Sequence, residues 1–350
     1  MQRLIEIFQR GYMMKNLLVL DKVEYQTREK EFLDMMEQYV GGENQIIYTS
    51  YEDGTIRKVR NFRYVGAALQ HILYWKKSWH YAKEIAQKHY DNIYCVNPIV
   101  GLFLGLLNQQ CNRKIILGGF LFEPKDNKVY YSLRKNFARK SLKGIETAVV
   151  YGSHEVEYYK NIFGDVTNFK FLKYGIDFDE SMNYTKQPLP DRYYFSGGGS
   201  NRDYETLIKA YNNYSVKQLP LVIATQPWHL DGMDTGDITV LSDVVVEDFG
   251  DVLKRANALV LSLKDSDVSV GHMVMFQGMK LGVPIIVNDI PAIRDYVDES
   301  MVTFYKTKDC SGLGKILKSY TPELEKANAA KETYEKDLTF SAFLKRFILA

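Results

Sequence analysis

Short apolar runs, many of them β-branched, recur along the chain and alternate with longer charged, amphipathic stretches. In the first half they are Asn16–Leu20, Gln45–Tyr48, Asn92–Val96, Lys114–Leu117 and Thr147–Tyr151. A second series follows Gly175: Tyr193–Ser196, Leu219–Ala224, Ile238–Leu241, Ala258–Leu263, Pro284–Val287 and Met301–Phe304. Continuous apolar runs suit strands covered on both faces, and the stretches between them suit crossover helices, so the pattern predicts parallel sheets. Strand signals lapse between Lys173 and Pro190, in YGIDFDESMNYTKQPLP. The chain is therefore expected to hold two α/β units in tandem, residues 1–175 and 176–335. Pro322 to Lys336 has the charge alternation of an exposed helix, and Thr339 or Ser341 is placed to cap a last helix carrying Phe340, Phe343, Leu344 and Phe347. That apolar helix, within 336–350, needs a surface to pack on, and the first unit is the expected one.

Composition narrows the function. A chain of 350 residues exceeds one ordinary hydrophobic core. A net charge of +2 gives no global reason to bind nucleic acid, so any electrostatic function is local. Cys95, Cys111 and Cys310 are too few and too scattered for a disulfide framework or a CxxC metal site. No segment has the apolar length of a signal peptide or a membrane span, so a cytoplasmic protein is expected. The six histidines show no HxxxH or HxH spacing, so no metal is expected. An aromatic content of 13% fits either aromatic-rich cores or sugar stacking.

Two glycine-opened turns carry the chemistry. In YYFSGGGSNRDYETLIKAY a strand ends near Ser196, Gly197, Gly198, Gly199 and Ser200 make the turn, and Asp203 or Asn201 caps a helix. About 70 residues later, in SVGHMVMFQGMKLGVP, Ser269, Val270 and Gly271 lead into a second helix that starts at His272. Helix N-termini present free N–H groups and the positive end of the macrodipole to anions, so a pair of such turns points to a phosphate-bearing ligand. The first turn taken alone is also compatible with an ordinary tight loop. Its spacing is not GxGxxG and it lies in mid-chain, which argues against a dinucleotide dehydrogenase.

The segment ALVLSLKDSDVSVGHMVMFQGMKLGVPIIVNDIPAIRDYV resembles the nucleotide-sugar region of GT-B glycosyltransferases, particularly the large retaining family four. That family shows a Glu, seven residues, a second Glu, then Ala-Met and a Gly-x-Pro. Gln277-Gly278-Met279, Gly282 and Pro284 align with this pattern, which puts Ser269 at the first Glu and Gln277 at the second. The resemblance implies an α/β fold of GT-B type, with two Rossmann-like doubly wound domains facing a cleft. It implies ribose contact by Gln277, whose amide offers an acceptor and a donor, and diphosphate binding at Gly271 and His272. Ser269 is too short to replace the family's sugar-contacting Glu. In the first turn the family carries an Arg and, five residues on, a Lys against the leaving diphosphate; here these positions are Gly197 and Arg202. The resemblance further implies activity without a cofactor or metal, and retention of configuration. Lys264 is a candidate substitute cation, and Asp265 and Asp267 are either sugar contacts or solvated loop residues.

Signals for an acceptor site in the first unit are Asn97-Pro98 and Gly118-Gly119 at strand ends, and Glu123, a candidate base or donor-sugar contact. Between Tyr130 and Lys143, helical spacing puts Tyr130, Leu133 and Phe137 on one side, with five cations around the rest. Such a helix suits an anionic membrane surface, with Trp75 and Trp79 extending it, or else a buried stripe with a solvated basic face. The expectation is a glycosyltransferase that takes a nucleoside diphosphate sugar as donor and a glycan or lipid-linked acceptor, in polysaccharide or glycoconjugate biosynthesis. His272 and Glu123 are its candidate catalytic residues. Gly197, Gly198, Gly199, Ser200, Arg202, Val245, Ser269, Val270, Gly271 and Gln277 are its candidate donor contacts. A catalytically silent nucleotide-sugar-binding subunit and a nucleotide-sugar epimerase are the alternatives.

Overall fold

The first six strands and the helices between them run β1 (Lys15–Leu20), α1 (Glu29–Tyr39), β2 (Glu43–Tyr48), α2 (Gly66–Ala86), β3 (Asn92–Cys95), α3 (Pro98–Leu107), β4 (Lys114–Leu117), α4 (Lys128–Leu142), β5 (Thr147–Val150), α5 (Glu155–Phe163) and β6 (Asn168–Phe171). A second series follows: β7 (Tyr194–Gly197), α6 (Tyr204–Asn213), β8 (Leu221–Ala224), β9 (Thr239–Leu241), α7 (Val246–Lys254), β10 (Ala258–Leu261), α8 (His272–Leu281), β11 (Ile285–Asn288), α9 (Pro291–Arg294), β12 (Thr303–Tyr305), α10 (Cys310–Ser319), α11 (Leu324–Asp337) and α12 (Phe340–Ile348). This computed structural model describes residues 13–50, 66–110, 113–179, 183–214, 219–242, 244 and 246–350.

By contact the chain divides into two units. Unit 1 comprises Met1–Tyr151, Glu155–Leu172 and Leu344–Ala350; unit 2 comprises Gly152–His154 and Lys173–Phe343. Each holds one six-stranded sheet, in the order β2-β1-β3-β4-β5-β6 and β12-β11-β10-β7-β8-β9. All strand pairings in both are parallel.

In unit 2, neighbouring residues of one strand enter opposite cores. Phe195, Val222, Leu259 and Val287 join Met275, Phe276 and Met279 of α8. Tyr194, Ile223, Val260 and Ile286 join Leu207, Ile208 and Tyr211 of α6 and Leu313 and Leu317 of α10. Both faces are covered, which is why the strands read as unbroken apolar runs rather than as alternation.

In unit 1, Trp75 of α2 packs 5.5 Å from Phe103 of α3 and 5.0 Å from Phe137 of α4. The backbones of α3 and of the turn after α4 nearly touch: a Cβ built on Gly144 would lie 2.0 Å from the Gly105 carbonyl oxygen. Much of the aromatic content is core, as in the cluster of Phe120, Tyr159, Phe163 and Phe169. Phe347 of α12 is fully buried, its ring 6.4 Å from that of Tyr94. Strand β6 escaped the sequence reading because NFKF has no continuous apolar run. It lies at the sheet edge, where Asn168 is exposed.

Candidate functional site

Strand β7 delivers the chain to its first glycine turn. Gly198 has φ +101, and a Cβ there would lie 2.8 Å from Nη2 of Arg202. A Cβ on Gly199 would lie 2.8 Å from Nε2 of His229, in the short 3-10 turn Pro227–Leu230 after β8. Arg202 folds back under the turn, donating from Nε to the Gly197 carbonyl at 2.8 Å and from Nη1 to the Ser200 carbonyl at 2.9 Å. The Gly198 carbonyl accepts from the Tyr204 hydroxyl at 2.6 Å and from Thr225 Oγ1 at 3.0 Å. Three carbonyls that would repel an approaching anion are thus occupied by donors. Burial lowers the Arg202 guanidinium from the usual arginine pKa. Asp203 caps α6, accepting from the Thr206 N–H at 3.1 Å.

The second turn follows β10. Asn288, buried at the end of β11, brackets Leu263: its Oδ1 accepts from the Leu263 N–H at 2.8 Å and its Nδ2 donates to the Leu263 carbonyl at 3.0 Å. The chain then loops to Gly271, which precedes α8 at φ +80 with no side-chain cap. A Cβ on Gly271 would lie 2.7 Å from Leu263 Cδ1, the end of a side chain, so the positive φ is what calls for glycine here. His272 opens α8 and is buried. Its Nε2 donates to the Ala292 carbonyl at 2.9 Å, and its ring lies 4.4 Å from that of Tyr296 and 5.6 Å from that of Phe276. Burial pulls its pKa down to about 4, against the opposing effect of the Ala292 bond, so the ring is neutral at pH 7. Val270 is in the core, and Ser269 is half-buried with its Oγ 3.1 Å from a Cβ built on Gly152. Gln277 is half-buried on α8, and its amide makes no hydrogen bond among the described residues.

The two turns are tied together. Arg202 and Leu263 form an antiparallel bridge, the Asp203 N–H donates to the Ser262 carbonyl at 2.8 Å, and the Lys264 N–H donates to the Asn201 carbonyl at 3.0 Å. They follow β7 and β10, neighbours in the sheet. From β7 the sheet grows through β8 to β9 on one side, and from β10 through β11 to β12 on the other. The turns therefore sit where the order of winding reverses, at the carboxyl ends of the strands, the position where open α/β sheets bind ligands.

The remaining candidates fall in different places along the chain. Val245 lies outside the described residues. Lys264, Asp265 and Asp267 are exposed on the second loop. Glu123 is in unit 1, on the loop before α4, where its carboxylate pairs with Lys125 at 3.0 Å and its carbonyl accepts from Arg134. Asn97 caps α3 and donates to Thr49 Oγ1 at 2.9 Å. Sequence reasoning passed over Asn288, Tyr204 and His229, which shape the two turns. The polar residue closing the apolar run IIVN was the available signal for Asn288.

The sequence matches no family model and no curated protein. Solved structures are similar over nearly the whole chain. A sucrose-phosphate synthase from Thermosynechococcus elongatus superposes with a TM-score of 0.65 at 12% identity, covering 95% of this chain and 97% of that one. HepE from Anabaena, solved with UDP and glucose, gives 0.59 at 10% identity, covering 95% and 98%. The lipopolysaccharide outer core galactosyltransferase WaaB gives 0.55 at 11% identity, also covering 95% and 98%. The chain has the GT-B fold, built from two Rossmann-like α/β units.

Proposed function

We propose that the protein is a glycosyltransferase whose unit 2 binds a nucleoside diphosphate sugar at the joined glycine turns, and that it passes the sugar to a glycan or lipid-linked acceptor. The observation that carries this reading is the pair of turns, tied by the Arg202–Leu263 bridge at the reversal of strand order. In this reading the first N–H groups of α8, which no side chain caps, receive the diphosphate. Gln277, with its amide unengaged, takes the ribose hydroxyls. Arg202 holds the first turn in shape from beneath and adds positive charge there. Neither a cofactor nor a metal takes part, and the sugar keeps its anomeric configuration. HepE, a neighbour in fold, was solved with UDP and glucose, in keeping with such a donor.

One observation favours a second reading, binding without turnover. Arg202 and His272, the side chains best placed by sequence to assist the leaving group, both spend donors on backbone carbonyls. Thermal unfolding with a panel of nucleoside diphosphate sugars tests the binding site shared by both readings. A donor at about 100 times its Kd raises stability by about 2.7 kcal/mol, and Gln277→Leu is expected to shrink that gain. Absence of a shift with every donor and every nucleoside diphosphate rejects the site. Sugar transfer or donor hydrolysis by the purified chain separates the enzyme from the silent binder.

A further inference from the structure

Exposed apolar side chains stand toward one end of two helices in unit 1, α2 and α4, that both pack on α3. Trp75 and Phe137 bring α2 and α4 level with each other, and both helices cross between strands of an all-parallel sheet, so they run in the same direction. Residues preceding Trp75 and residues preceding Phe137 therefore lie toward the same end. There Ile72 is 62% exposed, and Val129, Tyr130 and Leu133 are 71%, 53% and 64% exposed. Helical spacing grouped Tyr130 and Leu133 with Phe137; the structure turns Phe137 onto Trp75 and Phe103 and leaves the other two in solvent.

Positive charge begins beside this patch, at Lys128, and continues along α4 to its far end. Lys128, Arg139, Lys140 and Lys143 are exposed, and none has an ion-pair partner among the described residues. From Lys125 to Lys143 there are seven cations and one acid, Asp126. Arg134 stacks over the rings of Phe122 and Tyr130, at 4.9 and 5.6 Å, and steadies the exposed tyrosine. Large apolar side chains on a protein surface are ordinarily scattered; gathered beside a cationic helix face they suit the boundary between headgroups and acyl chains. A soluble acidic partner would engage the cations and leave the aliphatic tips uncovered. No described helix is long and apolar enough to cross a membrane.

We propose that this face of unit 1 docks on an anionic phospholipid bilayer. Ile72, Val129, Tyr130 and Leu133 enter the headgroup region, while Lys128, Arg139, Lys140 and Lys143 lie against lipid phosphates. Docking of this kind does not depend on what unit 2 binds.

Flotation of the full chain with phosphatidylcholine vesicles, with and without about 30% phosphatidylglycerol, tests it. The protein is expected to float with the anionic vesicles at about 0.1 M salt and to be largely released at about 0.5 M. Arg139→Gln, Lys140→Gln and Lys143→Gln together are expected to lower partitioning by about 100-fold, roughly fivefold per cation. Val129→Ser with Leu133→Ser is expected to lower it by about tenfold. All five positions are exposed, so an unchanged thermal midpoint certifies the fold of each variant. Wild type that stays unbound to both vesicle types at low salt, or variants that float as wild type does, overturns the proposal. So does retention on a soluble polyanion without flotation, which would assign the face to an acidic macromolecule.

Discussion

His272 is the side chain whose titration bears most directly on the site. Its folded pKa of about 4 lies below the ordinary histidine value of 6.5, because burial disfavours the imidazolium more than the Ala292 carbonyl and Asp295 favour it. Below pH 6.5 the unfolded chain takes up a proton that the folded chain refuses, so stability falls as pH drops from 6.5 toward 4 and then levels off. The complete loss is on the order of 3 kcal/mol. His272→Gln retains a donor for Ala292 and does not titrate. Urea unfolding at pH 6.5 and pH 4.5 is expected to show a smaller acid loss for this variant than for wild type, and equal losses would mean that the ring is not held neutral. The sequence marked His272 as the first residue after the glycine turn but was silent on its environment. Ala292, on a separate short helix, and Tyr296, just beyond it, form part of the surroundings of the buried ring and reach it only through the fold. Arg202 was likewise legible as a cation beside the turn, whereas its bonds to Gly197 and Ser200 follow from a backbone path that spacing cannot reveal.

At the scale of elements, α3 and the turn after α4 meet backbone to backbone. Gly144→Ala would bring a methyl within 2.0 Å of the Gly105 carbonyl oxygen, a backbone atom that cannot swing aside. The variant is expected to lose more than about 1 kcal/mol, as overpacked sites do, and circular dichroism melting would show a lowered midpoint. A midpoint equal to that of wild type would mean that α4 shifts freely on α3. Helices and strands were largely legible because each is built from local periodicity. Two features lie beyond that periodicity: β6, at a sheet edge, lacks an apolar run, and Phe137 parts from Tyr130 and Leu133 because Trp75 offers it a partner from another helix. Which apolar residue finds a partner is decided between elements, and one element's sequence does not contain it.

At the scale of the whole molecule, neither unit is a continuous stretch of chain. Leu344 and Phe347, both fully buried, belong to unit 1, although about 170 residues of unit 2 precede them. Deleting residues 344–350 is expected to cost several kcal/mol, since truncating one large buried side chain commonly costs about 3 to 5; urea unfolding followed by tryptophan fluorescence would register it. An unchanged midpoint would mean that the end of α12 contributes nothing to unit 1. The apolar face of that helix was visible in the sequence, while its division between the units was not. The ties between the two glycine turns also govern timing. With Asn201, Asp203, Leu263 and Asn288 already bonded, the two glycine turns are in place before any ligand arrives, and ordering these turns would cost a donor of the proposed kind little. For such a donor, discrimination among related ligands is expected to show in how long each one stays rather than in how fast it arrives.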